Sequence, residues 1–203
     1  MGNATQQKLI QPQNNMRVTA SYKNAEYLAK LSVGVHYGMD CADKTRANYQ
    51  IYGMGDGIIL DVGTDTCFGN YIVVKYPQAC NHIQKRYADI IVRMYHFASV
   101  SVKKGQAITK DTKMGLYGST GTYATAAHLH MEVDEDTVNT HYTPSIKNNT
   151  SKFKGRSSGA NDLTMSNPLE WMHCKTSAPD KQTYTTDGNA YINDGDKSIP
   201  VIG

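Results

Sequence analysis

Between Met16 and Val133 the apolar residues fall in short runs broken by Gly, Asp and Asn, without the three-to-four-residue recurrence of a helix. GDGIILDVG, GNYIVVKYP, ADIIVRMYHFASVSV, GQAITK, MGLYGSTG and HLHMEV each read as a strand closed by turn formers. NYIVVKYPQACNHIQKRYADIIVRMYH predicts an elongated hairpin, two long strands joined by a polar connection of roughly a dozen residues that carries Cys80. SVKKGQAI predicts a tight turn at Lys104-Gly105.

The flanks carry a different pattern. Residues 1–16 are polar, rich in Gln and Asn, and predict a flexible lead. The domain then runs over 17–174, with its strand motifs in 17–133. Residues 134–166 are polar and turn-rich, which predicts a long excursion over the surface. SNPLEWMH offers an N-cap, a proline and an apolar stripe, so a short helix is expected over 167–174. Residues 175–203 hold few large apolar side chains and read as a linker or tail.

Composition adds limits rather than direction. A chain of 203 residues with 39% hydrophobic residues, 17 glycines, 14 tyrosines and a single Trp171 fits one strand- and turn-rich domain. The net charge of +3 is too small to argue for a nucleic-acid partner. No apolar run is long enough to span a membrane, and MGNATQQKLIQPQNN lacks the apolar core of a secretory signal. Cys41, Cys67, Cys80 and Cys174 lack C-x-x-C spacing, which argues against a four-cysteine zinc site. Their even number suits disulfides in an oxidising compartment and buried thiols equally.

The chemistry concentrates in AAHLHMEV. On a strand, residues two apart share a face, so His128 and His130 point together while Leu129, Met131 and Val133 point to the other side. Such a pair alone fits two hydrogen-bonded histidines on a half-exposed strand. GVHYGMD adds His36 and Asp40, four apart in a segment whose Gly34 and Gly38 disfavour a helix. An extended segment puts that imidazole and carboxylate on one face. His36, Asp40 and His130 then make a three-ligand zinc set whose fourth tetrahedral position stays open, the arrangement of a catalytic site. His96, inside the apolar run RMYHFASVSV, requires a polar partner. Glu132 shares the face of His128 and His130 and is either solvated or orients a ligand imidazole.

These motifs resemble those of peptidase family M23, the LytM or lysostaphin-type zinc endopeptidases of peptidoglycan. His36 and Asp40 match the family's H-x-x-x-D, MYHFASVSVKKGQAI is similar to its Y-x-H-L-S…V…G-x-x-I segment, and GSTGTYATAAHLHMEV is similar to its G-S-T-G…H-L-H-F-E-V. Two departures are visible: Met94 stands where the family usually has a tyrosine, and Met131 where it has a phenylalanine.

The resemblance implies a mainly β, antiparallel fold whose two sheets form a substrate groove. It implies one Zn2+ per chain held by His36, Asp40 and His130, with His128 and His96 flanking the metal water and the scissile carbonyl. A tyrosine upstream of H-x-x-x-D, Tyr22 or preferably Tyr27, is implied to stabilise the transition state. Gly118, Ser119, Thr120 and Gly121 are implied to line the groove. His82, His141 and His173 match nothing in the pattern and read as surface histidines. The implied substrate is the peptide of bacterial peptidoglycan, in its stems or cross-bridges, and the implied setting is the cell wall or a phage lysin. Two alternatives are a non-catalytic LytM-like binding or activating module, and a structural module tied by its tails to a phage tail or secretion apparatus.

Overall fold

The structure, a computed structural model, describes residues 4–14, 16–23, 35–43, 47–144, 150–154 and 163–173, with the backbone of 182–186, 189–193 and 198–201. The strands begin with β1 (Leu9–Ile10), β2 (Met16–Ala20), β3 (Met39–Asp43), β4 (Gln50–Tyr52), β5 (Gly57–Asp65), β6 (Gly69–Asn81) and β7 (Arg86–Val100). They continue with β8 (Ala107–Ile108), β9 (Lys113–Tyr117), β10 (Leu129–Asp134), β11 (Met165–Ser166) and β12 (Met172–His173). Last come β13 (Gln182–Thr186), β14 (Asn189–Asn193) and β15 (Ser198–Val201). Among the described residues no helix is long and apolar enough to cross a membrane.

The protein is mainly β and its large sheet is antiparallel. Ten strands pair along the path β2-β3-β10-β7-β6-β5-β8, with β11 on β10 and with β9 bridging β4 and β7. In place of two sheets facing one groove, these ten strands form one sheet that forks, beside the two-stranded β1–β12 and the three-stranded β13–β14–β15 sheets. One edge of β7 pairs with β10 up to Tyr95 and with β9 from Phe97 onward. The fork therefore falls at His96.

Strict alternation assigns the two faces. Met94, Val92 and Ile90 of β7, Ile72 and Val74 of β6, and Leu129, Met131 and Val133 of β10 fill the main core. Tyr95 and Ile91, with Tyr71, Val73, Phe68 and Phe153, make a second, aromatic-rich cluster. Fully burying one such side chain contributes about 1.5–3 kcal/mol, so the two clusters fix the register of β7 and β10 from both sides.

Several boundaries depart from the sequence reading. The hairpin connection is only residues 82–85, because Tyr76 and Cys80 are buried and the strands extend past them. The lead is not loose: Leu9 is buried, β1 pairs in parallel with β12, and the Gln7 side chain donates to Asp56 O and Pro77 O. A lone leucine suffices there because Gln7 supplies the polar contacts that a strand edge lacks. The expected helix shrinks to one 3-10 turn, Pro168–Glu170, with the Asn167 side chain accepting from Leu169 N; burial of Trp171 and the pairing of Met172 and His173 with β1 stop it. The excursion turns partly inward, with Tyr142, Thr143, Ser151 and Phe153 buried, since buried carboxylates of the sheet satisfy its polar groups. Within 182–201 the backbone forms an antiparallel β13-β14-β15 meander, which suits that segment's Thr and Tyr content.

Candidate metal centre and active site

β10 lies between β3 and β7, and this register builds the site. His130 pairs with Asp40 on β3 and with Tyr95 on β7. His36 enters from the segment just before β3, where its Nδ1 donates to Ser21 O at 2.8 Å, leaving the Nε2 lone pair directed inward. His36 Nε2 lies 3.2 Å from Asp40 Oδ1 and 3.1 Å from His130 Nδ1, and His130 Nδ1 lies 2.8 Å from the same Asp40 oxygen. All three side chains are buried. Gly38 is required here by close approach, because a Cβ at that position would fall 2.5 Å from His130 Nε2.

The donor set fits a divalent cation on three counts. First, three acceptor atoms that face one another at this range are held together only by a cation or a shared proton. Second, His130 Nε2 is buried with no hydrogen-bond partner and sits 3.5 Å from Glu132 Oε1. A proton on Nε2 suits that carboxylate and leaves Nδ1 as the lone pair a metal uses; the opposite tautomer would set two acceptors against each other. Third, the buried carboxylates of Asp40 and Glu132 flank His130, and a cation in the cluster offsets their charge. With no ion bound, protons take that role. Burial would lower His130, but Asp40 and Glu132 overcome it and raise it to about 9. Burial would raise Asp40, but His36 and His130 hold its carboxyl well below the usual range.

Two further imidazoles reach the cluster. His128 Nε2 lies 3.5 Å from Asp40 Oδ1, and its Nδ1 donates to Ala126 O at 2.8 Å. His96 lies beside it at a tilt, with ring centroids 4.8 Å apart, and donates from Nδ1 to Thr120 O at 2.8 Å. Both rings therefore hold Nδ1–H against a carbonyl and direct Nε2 away from those anchors. Burial, with His130 and His128 close by, pushes His96 down to about 3.

A family model described as peptidase family M23 matches residues 34–142, more than half of the chain. The chain belongs to peptidase family M23. The peptidoglycan DD-endopeptidase ShyB of Vibrio cholerae is 35% identical over 98 residues, which is 48% of this chain and 20% of that protein. The peptidoglycan DD-endopeptidase ShyA of the same organism is 30% identical over 101 residues, 50% of this chain and 20% of that protein. The match thus spans about a fifth of the length of these curated relatives. The crystal structure of a zinc-containing peptidase from Vibrio cholerae aligns with a TM-score of 0.50 at 26% identity, over 63% of this chain and 37% of that one. A chain of the SpoIIQ–SpoIIIAH pore-forming complex aligns with a TM-score of 0.56 at 15% identity, over 83% of this chain and 92% of that one, a likeness of fold alone.

Within this M23 domain the fold brings together five of the residues singled out by sequence: His36, Asp40, His96, His128 and His130. His96 arrives by a route that alternation does not predict. Met94 and Phe97 both face the main core, so one residue between them is extra; Tyr95 and His96 together oppose Tyr71. His96 takes φ +67° and swings to the side of Tyr95, as the bulged residue of the pair. Thr120 serves His96 in turn: its hydroxyl donates to Phe97 O and accepts from Asn70 N while its carbonyl holds the imidazole. Gly121, at φ +87°, backs onto Gly69, where any Cβ would fall 2.3 Å from the Gly69 nitrogen. Gly118 is buried and pairs with His128, whereas Ser119 is exposed.

Other assignments change. Tyr27 lies outside the described residues. Tyr22 is 2% exposed and donates to Met165 O at 3.3 Å. His141 is no simple surface ring: its Nε2 donates to Asp61 Oδ2 at 2.8 Å. His82 and His173 pack against each other. Cys41, Cys67 and Cys80 are buried as thiols, and Cys174 lies outside the described residues. The sequence reading missed Arg93, Tyr95 and Thr143, which surround Glu132 beneath the cluster. The available signal was Arg93 itself, a charge in the middle of an apolar strand.

Proposed function

We propose that this M23 domain is a zinc-dependent endopeptidase that hydrolyses peptide bonds in the stem peptides or cross-bridges of bacterial peptidoglycan. The observation that carries the reading is the convergence of His36, Asp40 and His130 with two further imidazoles anchored through Nδ1 to backbone carbonyls. His36 Nε2, Asp40 Oδ1 and His130 Nδ1 would hold one zinc ion per chain. When bound, zinc supplies an acidified water and polarises the carbonyl under attack. The similarity to DD-endopeptidases supports the substrate class, and on this reading the protein works at the cell wall.

The chain's own residues divide the remaining work. His128, with its side chain 12% exposed, is the better placed proton carrier, taking a proton at Nε2 while Ala126 O fixes the ring through Nδ1. His96 is buried and resists protonation, so it accepts a hydrogen bond at Nε2 from water or from the substrate amide. The exposed Ser119 and the turn around it form one wall of a groove in which an extended peptide lies. A module that only bound peptidoglycan would need none of these imidazoles.

Digestion of purified peptidoglycans of different cross-bridge type, with released amino termini read by mass spectrometry, tests the reading. His128→Ala should lower the rate by about 10²- to 10⁴-fold. Undiminished activity in that variant would remove His128 from the chemistry. About one zinc per chain is expected, largely lost in His130→Ala and in Asp40→Ala; retention in both would refute the ligand set.

A further inference from the structure

We infer that Thr143, reaching in from the segment after β10, acts through Glu132 to fix the orientation of the His130 ring and thereby sets how tightly the His36, Asp40, His130 cluster holds a divalent ion. The inference rests on the metal reading above but concerns residues outside the ligand set.

Thr143 is fully buried and donates its hydroxyl proton to Glu132 Oε1 at 2.7 Å. That same oxygen faces His130 Nε2 at 3.5 Å. The other oxygen of Glu132 accepts from Tyr95 OH at 3.3 Å and lies 3.8 Å from Arg93 Nη1. Glu132 is thus held on both oxygens and turned so that Oε1 presents an acceptor to His130. A proton on His130 Nε2 answers it and holds the ring with Nδ1 toward His36 and Asp40. Without the Thr143 bond, Oε1 has no fixed donor on its far side and the carboxylate can rotate away from the ring.

The surface segment is itself anchored, so Thr143 is positioned rather than incidental. Thr143 N donates to Lys154 O and Lys154 N to His141 O, which ties residues 141–143 to 151–154. Ser151 Oγ and Lys152 N both donate to Asp65 Oδ2. Arg93 adds a second tie, donating from Nε to Thr140 O and from Nη2 to Asn139 O. A polar stretch that sequence alone places on the surface is therefore threaded to the back of a metal ligand. Thr143 and Glu132 are positioning residues, since neither reaches the side of the cluster where substrate would lie.

The test uses the whole chain and zinc alone. Zinc dissociation constants are measured by competition with a chromophoric chelator for wild type, Thr143→Val, Thr143→Ser and Glu132→Gln. In parallel, nitrogen-15 NMR of the zinc-loaded protein reads the His130 Nε2–H resonance. Outer-shell losses typically weaken metal binding by about 10- to 100-fold. Glu132→Gln should fall in that range, Thr143→Val should weaken binding by several-fold, and Thr143→Ser should restore it. In zinc-loaded Thr143→Val the His130 Nε2–H signal should broaden as its exchange with water speeds up. Wild-type zinc affinity in Thr143→Val and Glu132→Gln, or an unchanged His130 Nε2–H signal in zinc-loaded Thr143→Val, overturns the inference. Should Glu132→Gln fail to fold, the Val and Ser pair at 143 still decides it. Failure of the wild type to bind zinc would defeat the metal reading instead.

Discussion

His96 shows how one backbone angle moves a functional group between faces of a sheet. By alternation it would enter the main core beside Met94 and Phe97; at φ +67° it faces the metal cluster instead. A left-handed conformation costs a non-glycine residue about 1–2 kcal/mol, a strain borne here because His96 N donates to Phe68 O and its carbonyl accepts from Gly118 N. The two truncations at this position should therefore differ. His96→Gly removes the ring and relieves the backbone, whereas His96→Ala removes the ring and keeps the strain. Urea denaturation should find the alanine variant less stable by roughly 1 kcal/mol, with peptidoglycan hydrolysis lost in both. An alanine variant as stable as the glycine variant would show that the bulge relaxes once the imidazole is gone.

At the scale of elements, Asp65 at the end of β5 joins two segments distant in sequence. Its Oδ1 accepts from the Cys67 and Phe68 nitrogens, and its Oδ2 from Ser151 Oγ and Lys152 N. Burial alone would raise its carboxyl, but these four donors outweigh it and hold the group below its ordinary value. A depressed folded-state value stabilises above the unfolded carboxylate pKa of about 3.9 and loses that contribution as pH falls through the lower folded value. Asp65→Asn should cost about 2–3 kcal/mol at neutral pH by setting an amide against two donors. The gap to wild type in chemical denaturation should stay level from about pH 6 to 8 and narrow below about pH 4; a gap constant down to acid pH would contradict the assignment. This latch also marks what the sequence could reveal. The shared face of His128 and His130 was legible because a strand has a strict period of two, and H-x-x-x-D beside it supplied the remaining ligands. The bulge at His96 was not legible, because φ is set by contacts with Phe68 and Gly118 that pattern does not encode. Nor was the burial of Glu132: alternation states which face a side chain takes, and the anchored residues 139–143 and 151–154 determine that this part of the face is covered.

Over the whole molecule, the metal cluster and the main stabilising strap sit at opposite ends of the long hairpin. β1, the 3-10 turn and β12 close over the β6–β7 turn: Leu9 and Trp171 are buried, Asn81 Nδ2 donates to Glu170 Oε2, and the Arg86 guanidinium lies 5.3 Å from the Trp171 ring. From Arg86 the strand must run to Tyr95 to reach the cluster, roughly 30 Å at about 3.3 Å per residue. Between the two ends, the main-core face of β7 is filled by Ile90, Val92 and Met94. Stability and metal binding should then respond separately. Leu9→Ala removes a fully buried side chain and should cost about 2–5 kcal/mol, read as a lower urea midpoint with unchanged slope. Measured below that midpoint, where the protein is folded, its zinc dissociation constant should match wild type, in contrast to Thr143→Val, which should shift zinc affinity with little loss of midpoint. If zinc affinity instead fell in step with stability across a series at Leu9, the strap would be coupled to β10, and the division between a stabilising end and a chemical end of the hairpin would be wrong.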